Sequence, residues 1–151
     1  MTLKSWLDNR WITAHTATLG EIEGLFAVVD RDLKDAAVPR LSDDWRLGIA
    51  YNAALQLATI ALMAEGYRTG RERHHERALQ SLAYTVKAST RTVDLLDLVR
   101  RKRNQANYEA AGATSAREAE ELYKVVEELR SDVVRWLKKH HVGLCPSDVK
   151  A

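Results

Sequence analysis

The chain is expected to fold as an all-α protein, an antiparallel bundle of about five helices, and three observations predict this. Two prolines and seven glycines in 151 residues leave long uninterrupted stretches. Apolar residues recur along them in steps of three and four, and alternating β-branched runs bounded by turns are missing. Two of the stretches also open with capping boxes.

Residues 1–15 read as an N-terminal arm in which Trp6 and Trp11 of SWLDNRWI pack on the bundle or on a partner. The first helix follows Thr18, which forms a capping box with Glu21 and sets Leu19, Ile22, Phe26, Val29 and Leu33 on one face. It should stop before Pro39. Ser42 caps the second helix, with Asp43 and Asp44 well placed against the helix dipole, and YNAALQLATIALMAEG carries it to Gly66. Apolar on nearly every side, it reads as the buried central helix. A shorter helix is expected from about His75 to Lys87 through Leu79, Leu82 and Val86, and a fourth from Thr92 to about Tyr108. After a break at 111–113, Ser115 and Glu118 make the second capping box. Ala119, Leu122, Val126, Leu129, Val133 and Trp136 then continue the last helix to His140 and His141. The bundle thus covers residues 16–140 of a single domain, with 141–151 as a tail.

Composition narrows the function classes. An apolar fraction of 46% supports one core, and 23 Lys plus Arg against 21 Asp plus Glu leave a net charge of only +2, so any basic signal must be local. The lone Cys145 rules out an intramolecular disulfide framework and points to the cytoplasm. The most apolar run, residues 49–64, is interrupted by Asn52, Gln56 and Thr59 and reads as core, so no membrane association is expected. P-loop, dinucleotide-binding, zincin-helix and nucleophile-elbow patterns are missing, and no cofactor or metal is expected.

The fourth helix changes character from TVDLLDLV to RRKRNQANYE. At about 100° per residue, Arg103 and Asn107 continue the line of Leu96, and Arg100, Arg103, Asn104, Asn107 and Tyr108 share an arc of about 140°. Arg101 and Lys102 point elsewhere. A guanidinium in such an arc suits bidentate recognition of phosphate, with neighbouring amides fixing its orientation. The plainer reading is that four basic residues near a helix C-terminus answer the dipole and balance Asp94 and Asp97.

This constellation resembles the HEPN superfamily. YNAALQLA in a buried helix, the RKRNQANYE block, a short loop and a long final helix ending in WLKKHH carry the resemblance over most of the chain. The resemblance implies a homodimer and a metal-independent endoribonuclease or RNA-binding toxin-type protein, with Arg103, Asn104 and Tyr108 as its catalytic positions. Its other implication is a non-catalytic dimeric module that binds a nucleotide, a nucleotidyltransferase or an antitoxin. The chain departs from the motif at Tyr108, where the histidine would fall, and Asn107 replaces the aspartate of branches ending in Ala-Asp-Tyr.

Metal-free RNA cleavage needs a base for the 2′-hydroxyl, an acid for the leaving oxygen and positive charge on the phosphorane. Arg103 offers the charge, whereas a tyrosine titrating near about 10 donates a proton better than it accepts one. Tyr108 reads equally as a helix-end ring packed in the core with its hydroxyl in water. A second basic segment, TGRERHHER, holds His74 and His75; His75 could bind phosphate or supply proton transfer if this segment folds towards the fourth helix, and is otherwise a solvated loop residue. His140 and His141 diverge on a helix, which argues against a shared metal.

Overall fold

A computed structural model describes residues 1–104 and 112–151 of the chain. Six α-helices and a two-stranded sheet follow in the order α1 Leu3–Asp8, β1 Ile12–Ala14, α2 Leu19–Ala36, α3 Asp43–Ala64, β2 Tyr67–Thr69, α4 His74–Ser81, α5 Thr90–Asn104 and α6 Ala116–His140. The expected helical bundle is present. A 3-10 turn at Val142–Leu144 succeeds α6.

The caps form as the sequence indicates. Thr18 and Glu21, and Ser115 and Glu118, exchange both bonds of a capping box, and Ser42 accepts from the Trp45 amide at 3.2 Å. Of the expected α2 face, Ile22, Phe26, Val29 and Leu33 are buried, while Leu19 at the helix start is exposed. The α6 positions from Ala119 to Val133 are all buried.

Helix α3 is the axis of the fold. It has the length and apolar character of a membrane span, but 72% of its most apolar window is buried by surrounding elements. Thirteen of its residues lie in the interior, packed mainly against α2 and α6. Helices α2 and α3 run antiparallel: Arg46 reaches the Ala36 carbonyl and Asn52 reaches Asp32, so α3 ascends as α2 descends. Helix α6 runs parallel to α3, a departure from a purely antiparallel bundle, with Arg46 near Glu120 at one end and Glu65 near His141 at the other.

One expectation is corrected. The helix expected from His75 to Lys87 spans only His74–Ser81. Side-chain hydroxyls compete for its carbonyls, Ser81 Oγ donating to Ala78 O at 2.6 Å and Thr85 Oγ1 to Ser81 O, and Lys87 is left-handed at φ 59°. Turns through 82–86 still bury Leu82. The arm also carries a short strand: β1 pairs antiparallel with β2, Ile12 opposite Thr69 and Ala14 opposite Tyr67. Gly66, at φ 95°, turns the chain out of α3 into this ladder. The arm does pack on the bundle, where Trp6 and Ile12 are buried with Leu62 and the Trp6 ring meets Trp11 and Tyr84 edge-on. The tail folds back as well, burying Val149 in the main core.

Candidate functional site

The site lies where the C-terminal half of α5 crosses the first turns of α3 beside the start of α4. Helix α5 begins at Thr90, two residues before the expected Thr92, and buries Leu96 and Val99. One turn beyond Val99, the same stripe delivers Arg103 to α3. Its guanidinium donates to the Gly48 carbonyl at 3.3 Å and lies 5.0 Å from the centroid of the Tyr51 ring, a cation–π distance. Arg103 is nevertheless exposed, as is Asn104, so the stripe ends in an accessible cation rather than a buried one.

The basic residues differ in how they are partnered. Arg100 donates to Asp97 at 2.8 Å and stands 3.8 Å from Glu76, which makes it a strut between α5 and α4. Arg101 pairs with Asp97 at 3.2 Å and faces solvent, as its place on the wheel requires. Lys102 turns to the Ala113 carbonyl and to Glu118, at 2.9 and 3.0 Å. Among the described residues Arg103 has no carboxylate partner within ion-pair distance.

Two residues complete the arrangement. Tyr51 is 3% exposed, and its hydroxyl has no hydrogen-bond partner among the described residues. Burial pushes its phenol up, while the charges of Arg103 and Arg100 pull it down. Tyr51 was legible only as part of an apolar helix; the available signal was a polar-tipped ring on the turn after Gly48. His75 is brought to the site, not left in a remote loop. Its ring meets Tyr51 edge-on with centroids 6.5 Å apart and meets His74 edge-on at 4.2 Å. Although His75 is exposed overall, partial desolvation, then the charges of His74, Arg103 and Arg100, hold its imidazole below the usual histidine range. Glu76, next in sequence, is lowered chiefly by its bond to Arg73 and stays ionised.

Of the sequence-designated positions, the structure therefore brings Arg100, Arg103 and His75 together around Tyr51 and puts Asn104, which is exposed, at the last residue of α5. Asn107 and Tyr108 lie outside the described residues. No three His, Cys, Asp or Glu side chains gather as a metal-ligand set among the described residues. His141 instead faces Glu65 at 3.8 Å and lies against Trp136.

Chemically, the cluster offers an available guanidinium, a neutral imidazole and a rigid aromatic floor, a set suited to binding an anion and moving a proton. Compared with known proteins, the chain matches no family model, no curated protein and no solved structure.

Proposed function

We propose that the chain is an RNA-binding protein of the HEPN type, acting as a metal-independent endoribonuclease of the toxin class. In this reading Arg103 binds the scissile phosphate, Asn104 orients it and Tyr108 completes the site, with Arg100 setting the local field. The observation that carries the reading is the Arg103 guanidinium, held on the Tyr51 ring and without a carboxylate partner among the described residues, while Arg100, Arg101 and Lys102 are each matched to acidic groups. An exposed guanidinium held against a buried ring suits contact with a phosphate.

A second reading is a non-catalytic dimeric module that binds a nucleotide, a nucleotidyltransferase or an antitoxin. The observation favouring it is the exposed apolar surface of Leu98 and Trp45, at 56% and 66%. Incubating purified protein with single-stranded RNA in the presence of a chelator separates the two. Cleavage that Arg103→Ala abolishes supports the ribonuclease; RNA left intact, with a partner or nucleotide bound, supports the module.

A further inference from the structure

Cleavage of RNA without a metal needs a group that takes the 2′-hydroxyl proton, and the phenol at position 108 is poorly suited to that task near neutral pH. The described residues supply an imidazole instead. Tyr51 is fixed in the most buried helix, with its ring edge towards His75 and the Arg103 guanidinium at its face. One immobile ring thus sets the relative position of a base and a phosphate-binding cation. Because both groups border the same ring, a nucleotide bound with its phosphate on Arg103 would bring its ribose towards His75.

We infer that His75 is the general base of this site and that Tyr51 is the residue positioning it against Arg103. The inference rests on the ribonuclease reading above. The groups around His75 are His74 and Glu76 on its own helix, Tyr51 on α3, and Arg100 and Arg103 on α5, with Asp97 of α5 acting on Tyr51. Glu76 is engaged by Arg73 and Arg100, and Asp97 by Arg100 and Arg101, which leaves cations and apolar surface to act on the imidazole. They favour its neutral form, the form that accepts a proton. In the step proposed, neutral His75 takes the 2′-hydroxyl proton as the 2′-oxygen bonds to phosphorus. The bond from phosphorus to the 5′-oxygen breaks, and that oxygen leaves with a proton from solvent water. The products are a 2′,3′-cyclic phosphate end and a 5′-hydroxyl end.

The test uses the full chain, a mixed-sequence single-stranded RNA and a chelator. His75→Gln is expected to lower the cleavage rate by about 100-fold, within the range of acid–base groups, while RNA affinity stays near that of the wild type. His74→Gln, one residue away, should retain most of the rate. The wild-type rate should rise with pH as His75 loses its proton and level off, with a midpoint below the ordinary histidine value of about 6.5. Tyr51→Leu should lower kcat more than it raises KM. Wild-type cleavage that His75→Gln leaves unchanged overturns the inference and leaves the Arg103 reading standing. Wild-type protein that binds RNA through Arg103 but does not cleave it overturns the catalytic part of both. A His75→Gln chain that does not fold by circular dichroism transfers the decision to the wild-type pH profile, where a midpoint at or above the ordinary value overturns the assignment.

Discussion

The Arg103 guanidinium rests 5.0 Å from the Tyr51 ring centroid, so the cation donated by α5 is held by an aromatic residue of the buried helix α3. The ring and the hydroxyl of Tyr51 make separate contributions. Tyr51→Phe keeps the cation–π surface and removes a buried hydroxyl with no partner among the described residues, so thermal stability should hold or rise by up to about 1 kcal/mol. Tyr51→Leu removes the surface and should cost about 2 kcal/mol in packing. RNA affinity should follow the ring, falling in the Leu variant and not in the Phe variant. Equal affinity in all three proteins would detach Tyr51 from the site.

A second contact ties α2 to α3. Asn52 donates to the Asp32 carboxylate at 2.6 Å, and Asp32 is 5% exposed and also held by Arg31. Asn52→Ala leaves one carboxylate oxygen buried without that donor and should destabilise by about 2 kcal/mol, in the range for bonds to charged groups. Chemical denaturation measures this directly. A loss below about 0.5 kcal/mol, the low end of ordinary hydrogen bonds, would mean that water replaces the amide.

The bundle and its caps were legible because they depend on local signals: Thr18, Ser42 and Ser115 each act on an amide three residues away. The β1–β2 ladder was not, since three-residue strands are too short to show alternation and their pairing joins residues 12 and 69. The end of α4 was missed because Leu82 keeps the helical spacing of buried residues while the backbone has already turned. Arg103 could be placed on the stripe of Leu96, but its partner could not. Tyr51 meets Arg103 and His75 across three helices, and neither neighbour leaves a mark on the sequence around it.

The proposed dimer has a specific surface to use. Leu98 is 56% exposed on α5, above a groove of about 610 Å³ that includes Leu47 and Leu95 and is rimmed by Lys102 and Glu118. A second copy covering it would bury apolar surface and set basic against acidic rim residues. Leu98→Glu should shift the chain towards monomer at micromolar concentration in light scattering, with the fold retained. A wild-type protein that is monomeric at that concentration removes the dimer.

Asp44 fastens the segment that follows α5. Its carboxylate accepts from the Gly112 and Thr114 amides at 2.9 and 3.0 Å, and the Gly112 bond is the first cause of its lowered pKa. A carboxyl whose pKa is lower folded than unfolded contributes stability above the ordinary carboxylate range, and loses it as pH falls through the folded value. Asp44→Asn should therefore reduce hydrogen-exchange protection of Gly112 and Thr114 at neutral pH. In the wild type, the same loss of protection, corrected for intrinsic rates, should appear only below the ordinary range of about pH 4. Unchanged protection in Asp44→Asn would show that the loop is held by other contacts.

Arg101 and Arg103 are two residues apart on one helix and carry the same charge, so comparing them isolates geometry from electrostatics. Arg101 is matched to Asp97 at 3.2 Å and directed to solvent; Arg103 lies on Tyr51 and donates to Gly48 O. If Arg103 contacts phosphate, Arg103→Ala should lower RNA affinity by at least about tenfold and reduce the slope of log affinity against log salt by about 0.7, the value for one phosphate contact on a single strand. Arg101→Ala should change affinity by less than about threefold, because it alters the field without removing a contact. Both variants should stay folded and lose no more than about 1 kcal/mol of stability, since Arg103 gives up only its contacts with Tyr51 and Gly48 and Arg101 only its pair with Asp97. Equal losses of affinity and slope would reduce the basic end of α5 to a general positive patch, and the assignment of Arg103 to the phosphate would fall.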